Sequence, residues 1–537
     1  MPILKNKNTN SKQETHCKKL KGYVINKQNM QRSITLLLLA FSIQTFSQSP
    51  ETLKIRDYRN KNEHSIINEF VSFLSIPNVA SDTSNIKKNA AFIMDMMRKR
   101  GINNVQLLSP ETKDAPPAVY GEVIIPGAKN TLIFYAHYDG QPVNASQWAN
   151  GLDPFIPKLY SGDLNSGQAI SFPASGSYDP QWRIYARGAS DDKAGVAAIV
   201  NAYDAIVKSG LQLNNNIKFF FEGEEEAGST HLNEILQKHS ALLQSDLWIM
   251  CDGPVHQSGK KLIAFGVRGD THLDLTVYGS KRPLHSGHYG NWAPNPAMML
   301  VKLLASMKDE NGRVTIKGFY DDLQPLNSEE LKALKEVPGV DEQMKNELGI
   351  ITTEMKGKTL VESINLPSLN INGIQSANVG KLASNVIPTT ATAVLDLRLV
   401  LGNDWKRQQQ KVINHIRLQG YTVIDHDPTD DERKKYPKLI KVLTGNDGYN
   451  AQRTSMTLPV TKKVIDAVKS TTNEQVVLMP TLGGSLPLFV FEKYLKAKTI
   501  TIPIANHDNN QHAENENIRL LNFWNGIETM AALMMMK

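Results

Sequence analysis

Cysteine is close to absent, with Cys17 and Cys251 the only two in 537 residues. Cys17 lies in a leader-like stretch, so Cys251 is left alone and no intrachain disulfide can form even in an oxidising compartment. Long apolar runs are also missing. The longest, residues 34–43, falls short of the ~20 residues that span a bilayer, which argues against a membrane anchor, and no stable membrane insertion is expected once it is removed. No internal repeat is present, which excludes a repeat architecture. A true excess of basic charge is lacking as well. The formal net charge is +7, but residues 1–48 hold eight Lys or Arg against a single acid, Glu14, and account for all of it. The rest of the chain is neutral and gives no sign of nucleic-acid or membrane-surface partners.

The leader-like stretch has an internal start. Met30-Gln31-Arg32-Ser33 supplies a basic beginning, residues 34–43 an apolar middle and Thr45-Phe46-Ser47-Gln48 a small-residue exit. This is the pattern of a secretory signal peptide cleaved near Ser47. The expectation is a secreted or periplasmic protein, with residues 1–29 an upstream extension. The remaining length is too great for one compact core. Changes of pattern divide it into 49–261, 262–427 and 428–537, the first and last forming one domain and the middle an insertion.

What is abundant is acid at the ends of apolar strands. Ile217-Lys218-Phe219-Phe220-Phe221 ends in Glu222, Glu224, Glu225 and Glu226, and Thr131-Leu132-Ile133-Phe134-Tyr135-Ala136 runs into His137-Tyr138-Asp139. Residues 182–190 deliver Asp191-Asp192, and Leu247-Trp248-Ile249-Met250-Cys251 delivers Asp252. One acidic turn alone reads as a solvated loop. Four in succession, separated by segments of helical period after Asp191 and after Ser229, imply a parallel sheet with helices between its strands. Such sheets bind ligands beyond the carboxyl ends of their strands, so all four termini can face one crevice. A histidine and several carboxylates converging there form a hard, oxygen-rich metal site. A carboxylate shared between two cations is the usual way of holding two zinc or manganese ions.

Beyond residue 261 the pattern changes. Residues 271–278 alternate polar and apolar, 296–307 have helical spacing, and Leu395, Leu397 and Leu399 alternate with Asp396 and Arg398. A helix over 404–418 and a strand over 421–425 follow. The predicted fold class is α/β: a catalytic domain with a mostly parallel sheet flanked by helices, plus an inserted α+β domain whose antiparallel sheet has helices on one face. Helices are also predicted over 64–76 and 85–100. The long segment 141–179, rich in Pro, Gly, Ser and Asn, reads as an active-site loop. Two polar clusters remain, His285-Ser286-Gly287-His288 in the insert and the loop 506–516 with His507 and His512. Isolated histidines are usually structural. The amides around His512, following a strand over 499–504, point instead to a site.

Taken in order, several motifs resemble a known family. They are Tyr135-Ala136-His137-Tyr138-Asp139-Gly140-Gln141-Pro142-Val143, Arg187-Gly188-Ala189-Ser190-Asp191-Asp192-Lys193-Ala194-Gly195, residues 222–229, His285-Ser286-Gly287, Gly483-Gly484-Ser485 and the His512 loop. Together they resemble the signatures of the dinuclear zinc peptidases and amidohydrolases that include carnosinase, aminoacylase, acetylornithine deacetylase and peptidase T. The likeness spans nearly all of residues 49–537 and is nearest to the carnosinase-type dipeptidases. It implies that Asp191 bridges two metal ions, with His137 and Asp252 completing one site and Glu226 and His512 the other. Glu225 is then the general base and Asp139 the group that orients His137. The implied cofactor is two divalent ions, zinc foremost, with manganese or cobalt as alternatives. A non-proline cis peptide after Asp191 is implied too.

The resemblance also implies a homodimer assembled through the inserted domain, in which His285 enters the partner's crevice to polarise the scissile carbonyl. Arg398, Ser485 and Gly484 would hold the substrate carboxylate, Arg398 as a bidentate partner; a plain ion pair with Asp396 is the other reading of Arg398. The expected activity is metal-dependent hydrolysis of dipeptides or small peptides. One departure stands out. Carnosinase-type enzymes carry an acid just before Gly-Gly-Ser, suited to a substrate's amino group, and this chain has Leu482. That leaves an amidohydrolase of N-acyl amino acids as a second reading. A non-catalytic relative is a third, opposed by the presence of every ligand and of Glu225.

Overall fold

The computed structural model describes residues 48–445, 448–484 and 488–537. The signal-peptide segment ending near Ser47 lies outside them. Strands β1 (Asn103–Leu108), β2 (Ala118–Val123), β3 (Thr131–His137), β4 (Asn216–Glu222), β5 (Leu247–Met250) and β6 (Leu262–Ala264) enter a first sheet. Strands β7 (Gly269–Tyr278), β8 (Ser368–Gln375), β9 (Thr390–Leu399), β10 (Thr422–Ile424) and β11 (Leu439–Thr444) form a second, after which β12 (Val477–Met479) and β13 (Thr499–Thr501) return to the first. The helices used below are α1 (Pro50–Leu74), α2 (Thr83–Lys99), α3 (Lys193–Lys208), α4 (Pro296–Ala305), α5 (Ser328–Glu336), α6 (Trp405–Leu418) and α7 (Leu520–Met534). No helix among the described residues is long and apolar enough to cross a membrane.

The first sheet has the order β1-β2-β4-β3-β5-β13-β6-β12. Its middle, β4-β3-β5-β13, is parallel, and β12 joins β6 in parallel; the other pairings are antiparallel. β3, β4 and β5 are buried on both faces over most of their length, which is why they read as near-continuous apolar runs, broken only by Lys218, rather than as alternating ones. On one face, Phe70 and Phe73 of α1, Ile199 of α3 and Phe523 of α7 share a core with Phe219 and Phe221. On the other, Tyr135, Phe220 and Trp248 pack against Leu236 and Phe491.

α1 starts at Pro50, well before the expected residue 64. Ser49 caps it by accepting the Thr52 N–H at 3.1 Å. Its first half is polar and is held by ion pairs: Arg56 to Glu528 at 2.6 Å, Arg59 to Glu528 at 3.3 Å and Arg59 to Glu63 at 2.8 Å. No apolar stripe announces such a half in sequence.

The second sheet has the order β8-β9-β7-β11-β10 and is antiparallel except for the β10–β11 pair. Alternate residues of β7 and β9 point into a core with Leu300 of α4 and Val412 and Ile416 of α6. β11 carries this sheet beyond the boundary expected at residue 427. Its apolar run looks the same from sequence whichever sheet it joins, so the pattern alone did not place it.

Candidate metal centre and active-site cavity

Strand register sets the site. β3 and β4 pair with His137 opposite Glu222, and Cys251 donates its N–H to the Tyr135 carbonyl at 2.9 Å. The segments that follow three adjacent parallel strands therefore emerge at one level. Asp139 ties two of them together. Its carboxylate accepts the N–H groups of Glu225 and Glu226, both at 3.0 Å, and lies 3.4 Å from His137 Nδ1. Gly223 is required at the bend, because a Cβ there would sit 2.4 Å from the Tyr138 hydroxyl. The other two acids of the run are engaged elsewhere. Glu222 accepts the Tyr135 hydroxyl at 2.7 Å, and Glu224 pairs with His231, taking its N–H at 3.0 Å and lying 2.9 Å from Nδ1.

Asp191 arrives from a loop organised by Glu516, which is fully buried. Glu516 accepts the N–H groups of Gly188, Ser190 and Asp191 at 3.0, 2.8 and 2.9 Å, and pairs with Arg187 at 2.8 Å. The Asp191–Asp192 peptide is cis, as expected. Asp191 Oδ1 then lies 3.0 Å from His137 Nε2 and its Oδ2 3.1 Å from His512 Nε2. His512 is also 3.2 Å from Glu226, whose carboxylate accepts Gln141 Nε2 at 2.8 Å. Asp252 and Glu225 approach His137 Nε2 to 4.0 and 3.9 Å. Asp192, Glu516 and Gln141 were not singled out from sequence, although all three fall inside the quoted motifs. Asp192 accepts the His137 N–H at 3.2 Å and caps α3 through Gly195 N–H at 3.1 Å, so it works through the backbone.

Charge in this cluster is strongly coupled. Burial raises the Glu225 carboxyl well above its usual range, that of Glu226 to about 7 and that of Asp252 to about 6. Burial also opposes ionisation of Asp191, but hydrogen bonds with His137 and His512 outweigh it and hold that carboxyl low. The Asp191 contact raises His512 to about 9; His137, which burial alone would depress, is held well above its usual value by Asp139 and Asp191. The cluster takes up positive charge wherever it can, the demand that divalent cations meet.

The donor set fits such ions. Ligand atoms of His137, Asp191 and Glu226 lie within 4.8 Å of one another, and Asp252 reaches to 4.0 Å from His137 Nε2. One imidazole on each oxygen of Asp191, with further carboxylates around them, suits a pair of ions sharing that carboxylate. A cavity of about 660 Å³ opens from the centre and is lined by Asp191, Glu225, Asp252, His512 and Gly484. Among the described residues that line it, His285 and Arg398 do not appear. His285 is exposed on a two-residue strand paired with Val386–Ile387, and Arg398 Nε pairs with Asp396 at 3.2 Å. Ser485 lies outside the described residues.

The chain is 27% identical over 482 residues to the Cys-Gly metallodipeptidase DUG1 of Candida albicans, covering 85% of this chain and 91% of that protein. It is 26% identical over 434 residues to the Beta-Ala-His dipeptidase of Homo sapiens, covering 80% and 78%. Among solved structures, the M20 family metallo-carboxypeptidase Sso-CP2 from Sulfolobus solfataricus superposes with a TM-score of 0.69 at 26% identity, covering 88% of this chain and 98% of that one. Human carnosine dipeptidase 1 shares the fold, with a TM-score of 0.68 at 22% identity over 91% and 99% of the two chains. The model of peptidase family M20/M25/M40 matches residues 133–536, well over half of the chain and all of the cluster described above. By that match, the chain belongs to peptidase family M20/M25/M40.

Proposed function

We propose that this chain is a dinuclear metallodipeptidase, with zinc as the favoured ion. The observation that carries the reading is the Asp191 carboxylate, which offers one oxygen to each of two imidazoles drawn from distant parts of the chain, with Glu225 in the same cavity. Asp191 would be shared between the two ions, His137 and Asp252 would hold one of them, and Glu226 and His512 the other. When bound, the ions supply Lewis acidity toward the peptide carbonyl and toward water. Glu225 takes the proton of the attacking water and passes it to the leaving amine. Asp139 holds the backbone of Glu225 and Glu226 and orients His137. The Candida albicans and human relatives named above are dipeptidases, which favours peptides over N-acyl amino acids. The purified protein is expected to hold two divalent ions per chain, to lose dipeptidase activity to a chelator and to regain it with zinc or manganese. Active protein with only trace metal would exclude the reading.

We further propose a homodimer through the second sheet, in which His285 acts in the partner's crevice and Arg398, Ser485 and Gly484 bind the substrate carboxylate. Support comes from β8, the outermost strand of the second sheet among the described residues, where Ile371 and Ile374 are exposed. Export directed by residues 30–47 is the accompanying proposal on location. N-terminal mass spectrometry of secreted or periplasmic protein should find a start near Gln48; a chain retained in the cytoplasm with its leader intact would count against it.

A further inference from the structure

One wall of the cavity is not made by the metal centre. It is built by residues 334–341 and 359–364, which run between α4 and β8. This wall is apolar: Val337, Val361 and Ile364 pack with Leu482 against buried Leu262, Val477 and Met479. The two acids of these segments that line the cavity, Asp341 and Glu362, are already committed to backbone. Asp341 accepts the Leu360 N–H at 2.7 Å, and Glu362 accepts the Thr359 N–H at 3.0 Å to close a capping box. Lys335 is exposed. His256, which also lines the cavity, accepts the Ser258 N–H on Nδ1 at 3.2 Å and therefore carries its proton on Nε2 as a neutral ring.

The wall is also anchored. Glu330 of α5 pairs with Arg453 at 3.1 Å, with side chains 3% and 7% exposed, and Gln475 donates to the Glu336 carbonyl at 2.8 Å. Leu482 is fixed from the other side, its N–H donating to the Gly266 carbonyl at 2.8 Å. A rigid apolar surface of this kind rejects a charged side chain, which would lose water without gaining a partner. It also gains little from glycine.

Resting on the peptidase reading, we propose that this wall is a subsite for a large apolar side chain. The preferred substrates are then dipeptides with a residue such as Leu or Phe at one of their two positions. The test is kcat/KM for Xaa-Ala and Ala-Xaa with Xaa as Gly, Leu, Phe, Asp and Lys, using metal-loaded protein. At one position Leu and Phe should exceed Gly, Asp and Lys by about tenfold or more. Val361→Asp and Leu482→Glu should each collapse the Leu-to-Gly ratio, whereas a folding defect would lower all substrates together and leave the ratio standing. A flat profile at both positions, or a preference for Gly or charge, overturns the subsite and leaves the peptidase reading intact. Calorimetric binding of the same dipeptides to metal-loaded Glu225→Gln reads the wall without turnover. Tighter binding of Leu and Phe by a similar factor is expected, and equal or absent binding overturns the proposal. Apolar binding without hydrolysis by the wild-type chain would overturn the peptidase reading alone.

Discussion

Glu222, Glu224, Glu225 and Glu226 differ by at most four positions in sequence and have four different surroundings. The first two are engaged with Tyr135 and His231, while Asp139 holds the backbone of the last two at the metal centre. Glu225→Gln keeps the shape but accepts no proton, so turnover should fall about 100-fold or more with metal still bound. Glu224→Gln should change turnover little. Steady-state kinetics with parallel metal analysis checks both, and the reverse ranking would shift the assignment by one residue. Asp139→Asn removes the carboxylate that steadies His137 and both glutamate N–H groups. Metal affinity should drop about 10- to 100-fold, measured by competition with a chromogenic chelator; unchanged affinity would leave Asp139 a purely structural role.

At the scale of elements, α1 is held in its first half by charge rather than by an apolar stripe. Glu528 of α7 is 1% exposed and faces both Arg56 and Arg59. Glu528→Gln leaves these guanidinium groups short of their counter-charge, and urea unfolding should register a loss of about 3 kcal/mol. A loss below about 1 kcal/mol would mean that solvent already screens the pair. The same pairing explains what sequence could and could not convey. β3, β4 and β5 were legible because burial on both faces leaves near-continuous apolar runs, and the acids after them mark where the runs stop. The polar half of α1 was not, since ion pairs to a distant helix have no local period. β11 was misplaced because strand pattern does not name its sheet. Asp192 and Glu516 escaped for a related reason: a carboxylate that accepts backbone N–H groups looks, as a letter, like one that binds a metal.

At the scale of the whole molecule, a donor that polarises the scissile carbonyl must come within ~3 Å of the reacting oxygen. In the single chain, His285 is exposed and does not line the cavity. The same second-sheet region offers a surface that a second copy can cover. Ile374, Val379, Leu382 and Val301 are 56, 85, 73 and 49% exposed and line one cleft beside β8, an outermost strand of that sheet among the described residues. If two copies meet there about a two-fold axis, each His285 can serve the other chain's cavity. Mixing inactive variants separates this from a site completed within one chain. His285→Ala and Glu225→Gln are denatured, refolded together and assayed. Half of the dimers are then mixed, and each mixed dimer has one cavity with both defects and one with neither. Activity per chain should therefore return to about a quarter of wild type. Mixed dimers demonstrated by tag capture but without activity would place His285 outside the partner's chemistry.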